Sequence, residues 1–278
     1  MKKYTIQFVS VVMIAAAFIF FGTTSCKKSS SSTPTSDSAV FLFHLHTQIY
    51  NSTIGGNPGV DSNTDGSTNV WYSDSLGRHI ELFVPQFFIS NIMLVNSSGS
   101  MVALTNVVVL KGLDSEDYYL CKVPAGTYVS AMFTVGLSSA NSVTPPTTSF
   151  ITDGIPYPTQ ATMWNGANYY GMVITGAYDT TTGNTGSNPI PFNFSLPNNL
   201  TTQYQVVLPT RGTGANSNYL VYTAAAGSTN YIHILCDYGK LLSAINLRTS
   251  TTTNGTTINP QIADTLAKGI SNMFRYEQ

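Results

Sequence analysis

Residues 40 to 46 alternate between two faces, with Val40, Leu42, His44 and His46 on one and Phe41, Phe43 and Leu45 on the other. Period two marks a strand, because successive side chains of extended backbone point to opposite sides. The same pattern predicts strands over 80–84, 87–95, 101–110, 127–135, 169–174, 203–208, 219–223 and 231–236. Turn formers separate them: Ser98-Gly99, Pro124-Ala125-Gly126, the stretch 183–191, and Arg211-Gly212-Thr213-Gly214. Many short strands so spaced predict an all-β domain, a β-sandwich. Near the end, Asn259-Pro260 precedes Ile262, Leu266, Ile270 and Phe274 at intervals of four. That spacing predicts a short, amphipathic C-terminal helix. A second short helix is predicted over 240–245, and no fixed-period repeat is present.

The pattern changes ahead of residue 39. Lys2 and Lys3 are followed by an apolar run from Phe8 to Phe21, broken only by Ser10, and then by Thr23-Thr24-Ser25-Cys26. Basic, apolar and small residues in that order read as a secretory signal, and the run is shorter than the roughly 20 residues of a membrane span. A cysteine directly after the small residues resembles a bacterial lipoprotein signal, which predicts acylation (palmitate-class chains) at Cys26. Residues 27–38 are Lys, Ser, Thr, Pro and Asp with no apolar side chain. Such a segment buries nothing that offsets its ordering entropy, so it reads as a flexible tether. The expected organisation is a signal peptide over 1–26, a tether over 27–38 and one β-sandwich over 39–278. The expected location is the cell envelope, with the chain anchored to the lipid bilayer through Cys26. Lysines rather than acidic residues follow Cys26, which favours an outer membrane anchor facing the periplasm.

Composition narrows the function. The chain has 278 residues, 42% of them apolar, only 9% charged, and a net charge of −1. A nucleic-acid partner needs a basic face, so none is expected. No phosphate-binding glycine loop, Cys-x-x-Cys pair or nucleophile elbow occurs, and an enzyme is not expected. The one acidic cluster, Asp114, Glu116 and Asp117, reads as a solvated turn. With Cys26 assigned to lipid, Cys121 and Cys236 are left either to form a disulfide or to stay buried thiols.

Three motifs carry metal chemistry. His44 and His46 share one strand face with Cβ atoms about 6.5 Å apart, so both imidazoles reach a single ion. Neutral imidazole suits copper, zinc, iron and nickel. Any third imidazole comes from His79 or His233, and His233 is taken into the candidate set. Asp61, Asn63 and Asp65, followed by Gly66, match the first half of a calcium loop, although Tyr72 stands where the bidentate Glu would be. Met163-Trp164 pairs a soft thioether, suited to Cu(I), with one of only two tryptophans.

The order of several segments resembles the copper-binding MbnP-like family, named for a periplasmic protein associated with methanobactin. The segments are Phe43-His44-Leu45-His46, residues 72–77, the Phe87-Phe88-Ile89-Ser90-Asn91-Ile92 run, Pro124-Ala125-Gly126-Thr127-Tyr128, Met163-Trp164, and Asn272-Met273-Phe274. The resemblance implies a β-sandwich that binds copper. It further implies that His46 or His44 is a ligand and that Trp164 is oxidised to kynurenine by a di-haem oxidase partner. Where members often carry His-x-Gly, this chain has Phe192-Asn193-Phe194-Ser195-Leu196. The function expected is a membrane-anchored copper-binding lipoprotein for metal storage or transfer. The alternative is a non-metal module that binds a glycan or protein partner, suggested by 12% aromatic residues and Tyr-rich stretches such as Tyr169, Tyr170 and Tyr219.

Overall fold

The computed structural model describes residues 24–25, 37–49, 71–73, 76–112, 116–147, 150–154, 159–181, 187–198, 205–208, 222–251 and 260–276. The strands are β1 (Thr24–Ser25), β2 (Ser38–Gln48), β3 (Tyr72–Ser73), β4 (His79–Asn96), β5 (Met101–Thr105), β6 (Val109–Lys111), β7 (Asp117–Pro124) and β8 (Gly126–Val135). Then come β9 (Asp153–Gly154), β10 (Tyr170–Asp179), β11 (Pro189–Pro197), β12 (Gln205–Val207), β13 (Tyr222–Ala224), β14 (Thr229–Asp237) and β15 (Phe274–Tyr276). The helices are α1 (Ser139–Ser142), α2 (Thr159–Thr162), α3 (Tyr238–Leu242) and α4 (Pro260–Met273). The fold is an all-β sandwich with a short C-terminal helix, as the alternation predicts. Apart from Thr24, Ser25, Asp37 and Ser38, the expected leader and tether lie outside the described residues.

Two sheets form the sandwich. The smaller has the order β15-β14-β2-β7, with β2 parallel to β14 and antiparallel to β7. The larger is built on β4, which pairs with β10, β5, β6, β3 and β8. β4 fuses the two strands expected at 80–84 and 87–95. Val84 pairs with Thr175 and Leu82 with Gly176, so Phe83 is an extra residue in the ladder. Such a bulge bends a strand without ending it. A side chain at Gly176 would not fit here, because its Cβ would lie 2.2 Å from the Glu81 carbonyl oxygen and 2.6 Å from the Phe192 ring.

The main core fills the space between the sheets. Phe43 meets Phe133 at 5.6 Å between ring centroids, Phe133 meets Phe274 at 5.1 Å, and Phe274 meets Phe87 at 5.5 Å. The last two pairs meet edge to face, which adds to the gain from burial. A second apolar cluster of Phe88, Val108, Leu110, Leu137, Met163 and Tyr169 lies on the other face of the large sheet, since Phe88 alternates with Phe87 and Ile89. Helix α4 covers the core with Ile262, Leu266 and Ile270, as the spacing predicts, and with Met273, whereas Phe274, expected as its fourth apolar position, lies past the helix end and opens β15. Its first residue is Pro260, a position where a missing N–H loses no helical bond. The other helix expected near residue 240 forms as α3, capped by the Asp237 side chain, which accepts from the Lys240 amide at 3.1 Å.

Several strand assignments differ from expectation, the short β3, β9 and β15 among them. The strand expected over 101–110 divides into β5 and β6, because Asn106 takes a left-handed φ of 64°, which extended backbone cannot continue through. β7 and β11 form where no strand was predicted. β11 carries Pro189, Pro191 and Pro197, and it ends the sheet order, where a proline forfeits no ladder bond.

Candidate metal centre

The site begins with the alternation of β2. Phe41, Phe43 and Leu45 are buried in the core, which turns Leu42, His44 and His46 to the outer face of the small sheet. Pairing then selects their neighbours. In the β2–β7 ladder His44 stands opposite Asp117, and in the parallel β2–β14 ladder it stands beside His233. The Leu45 amide donates to the Glu116 carbonyl at 2.8 Å, which holds Glu116 against β2 just before β7 begins.

Three side chains converge there. His44, His46 and Glu116 each offer one ligand atom, and these atoms lie within 4.8 Å of one another. Glu116 Oε2 is 3.5 Å from His44 Nε2 and 3.5 Å from His46 Nε2. The two imidazole nitrogens face each other at 2.5 Å. At that distance one ring donates to the other, or the two share a cation. A tetrahedral ion bonded at about 2.0–2.1 Å to each donor spaces its donors about 3.3 Å apart. The carboxylate already has that spacing from both rings, and the imidazoles need to open by about 0.8 Å, a small side-chain rotation.

The next layer fixes the tautomer. His44 Nδ1 lies 2.5 Å from Asp117 Oδ1, so Nδ1–H donates to the carboxylate and the Nε2 lone pair points into the cluster. Side-chain exposures of 18% for His44, 27% for His46 and 30% for Glu116 leave one side open to solvent or a further ligand. The His233 ring lies 4.6 Å from that of His44, and Tyr231 stands 6.4 Å from His44 and 6.2 Å from His233, forming an aromatic wall. A donor set of two imidazoles and a carboxylate suits a transition ion. The cavities of about 360 Å³ beside Asn91 and Asn106 and about 340 Å³ beside Arg78 and Arg248 are lined by other residues. The candidate centre lies on the outer face of the small sheet.

The structure brings His44, His46 and His233 together but keeps Met163 and Trp164 apart from them. Met163 is buried in the second cluster, and Trp164 packs edge-on to Tyr169 at 4.8 Å. That cluster lies beyond the large sheet, whereas the histidines face outward from the small sheet, so the main core stands between. His79 sits at the start of β4, 2.6 Å from Ser73 Oγ. Cys121 and Cys236 are both buried and are not joined to each other. Their registers explain it: Cys121 pairs with Phe41 and Cys236 with Thr47 on opposite sides of β2. Six residues of strand separate those positions by about 20 Å, far beyond disulfide reach. Tyr169, one of the tyrosines offered for glycan stacking, is buried with its hydroxyl accepting from Gln160 Nε2 at 2.7 Å. Tyr170 is half-buried. Cys26, Tyr219 and the calcium-loop residues Asp61, Asn63 and Asp65 lie outside the described residues.

Glu116 and Asp117 are a correction to the sequence reading. Of the residues taken for a solvated turn, Asp117 starts β7 and Glu116, just before it, completes the cluster. The signal was an acidic pair directly before a Tyr-Tyr-Leu run, which gains meaning only once that run is placed beside β2.

A search among curated proteins returns no match. Among solved structures, MbnP from Methylosinus trichosporium superposes with a TM-score of 0.45 and 12% sequence identity, covering 85% of this chain and 97% of that one. The sequence model of the MbnP family matches residues 53–259. That match spans well over half of the molecule, beginning just after the strand that bears His44 and His46, and on it the chain belongs to the MbnP family.

Proposed function

We propose that this protein is a lipid-anchored envelope protein that binds copper at His44, His46 and Glu116 and stores the metal or hands it on. The observation that carries the reading is the convergence of two imidazole nitrogens and a carboxylate oxygen, with Asp117 holding His44 in the ligating tautomer. Membership of the MbnP family supports a metal-related role, and imidazole donors suit copper. When bound, copper supplies a Lewis-acidic, redox-active centre. The chain supplies its capture and exposure: β2 sets the two rings on one face, Glu116 and Asp117 at the entry to β7 supply the carboxylates, and the open side gives a partner access. His233 is placed to join as a further donor. The reading needs no contribution from Trp164. The basic, apolar and small run ending at Cys26 supports anchoring.

The test is metal analysis of the full chain purified from envelopes, by native mass spectrometry after equilibration with copper. One equivalent per chain is expected, lost in His44→Ala and His46→Ala. A wild-type chain that emerges without metal after exposure to both Cu(I) and Cu(II) refutes the reading.

A further inference from the structure

We infer that this centre takes its metal as a divalent ion, Cu(II) or Zn(II), and releases copper when the ion is reduced to Cu(I). The inference rests on the metal-binding reading above and adds the oxidation state.

Spacing gives the first argument. Two imidazoles hold Cu(I) best in a near-linear arrangement, which sets their nitrogens about 4 Å apart for bonds of about 2.0 Å. His44 and His46 sit two residues apart on one strand, on either side of the buried Leu45, and their Nε2 atoms are 2.5 Å apart. Opening that gap to about 2.8 Å for a square-planar ion or about 3.3 Å for a tetrahedral one is a small adjustment. Opening it to about 4 Å would also drive the rings away from Glu116, which already occupies a third corner at 3.5 Å from each.

Donor chemistry gives the second. The third donor is a carboxylate oxygen, which suits divalent ions, whereas the soft donors that select Cu(I) are thiolate and thioether. No described sulfur belongs to the cluster. Met163 lies across the core, Cys121 and Cys236 are buried inside it, and Met93, Met101, Met132, Met172 and Met273 belong to the large sheet or to α4. Charge gives the third. Glu116 and Asp117 both face the histidines, and two carboxylates attract a doubly charged ion more strongly than a singly charged one.

Release is a one-electron event. A small-molecule reductant such as ascorbate gives an electron to bound Cu(II), the product Cu(I) departs to a soft acceptor, and no bond within the protein changes. The experiment loads the full chain with Cu(II), records the paramagnetic resonance spectrum, and measures affinity by competition. Ascorbate and bicinchoninate, a Cu(I) chelator, are then added without oxygen. Expected are nitrogen hyperfine structure from imidazoles, displacement by Zn(II), and Cu(I) affinity at least a hundredfold below that for Cu(II). Glu116→Gln is expected to weaken Cu(II) about tenfold and leave Cu(I) unchanged. Retention of Cu(I) as tight as Cu(II), or an equal effect of Glu116→Gln on both, overturns the inference while leaving the metal site standing. Failure of the wild-type chain to bind Cu(II) or Zn(II) at all overturns both.

Discussion

Asp117 offers the sharpest probe of the proposed centre, because it touches a candidate ligand without being one. Its Oδ1 lies 2.5 Å from His44 Nδ1, on the far side of the ring from the Nε2 that meets His46 and Glu116. Replacing it by Ala removes the partner that fixes the His44 tautomer and ring orientation. Carboxylates in this outer position typically contribute a factor of 10–100 to metal affinity. The Asp117 side chain is 52% exposed, so water screens its charge and replaces part of the hydrogen bond, which puts the expected loss near the lower end, about tenfold or 1.4 kcal/mol. Asp117→Asn, which keeps an acceptor but drops the charge, is expected to fall between the wild type and Asp117→Ala. The assay is competition for Zn(II) against a chromophoric chelator at fixed pH and ionic strength, with urea midpoints confirming that each variant is equally folded. An affinity for the Ala variant within twofold of the wild type refutes the claim that this carboxylate orients a ligand.

Other outcomes follow from the same geometry. Trp164→Phe is expected to leave metal affinity unchanged, since the main core separates the indole from the histidines; a change above threefold in the chelator competition contradicts that separation. Gly176→Ala is expected to cost at least about 2 kcal/mol in urea denaturation, because the new methyl meets a backbone carbonyl of the neighbouring strand, and an unshifted midpoint would show that β4 and β10 can part. Burial pushes the phenol of Tyr238 well above its usual 10, so the folded chain keeps this proton where the unfolded chain loses it. Its contribution is whole below pH 10 and declines as pH rises beyond, by up to about 1.4 kcal/mol per unit. Urea midpoints compared at pH 9 and 11 should therefore fall less steeply in Tyr238→Phe than in the wild type.

The parts of the molecule legible in the sequence are those where one local pattern decides the outcome. The strict alternation of 40–46 gives β2 and the outward face of both histidines. The four-residue spacing from Ile262 gives α4. β7 escaped because its alternation is interrupted: Cys121 pairs with Phe41 but Tyr119 with Leu42, so Leu120 is an extra residue and Leu120 and Cys121 are both buried in succession. A bulge shifts the phase of the pattern, and a phase shift in so short a strand hides it. With β7 hidden, Glu116 and Asp117 had no partner and read as solvated. His233 was in the candidate set by count alone; what places it is the parallel register of β14 on β2, a pairing between distant segments that no local spacing encodes. Met163 and Trp164 show the converse, since side chains of suitable chemistry say nothing about which side of a sandwich they occupy.

That parallel register has a consequence for timing. β2 stands near the beginning of the chain, β14 near its end, and their nine-residue register is the seam that joins His233 to His44. A polypeptide emerging from its amino end first presents His44 and His46 while their later neighbours are still being made. Pairings between such distant segments form late and slowly. An ion arriving early would meet a bare His-x-His strand, whereas one arriving after closure meets carboxylates, a fixed tautomer and a third ring. On the proposed function, completion of synthesis becomes a checkpoint for tight loading.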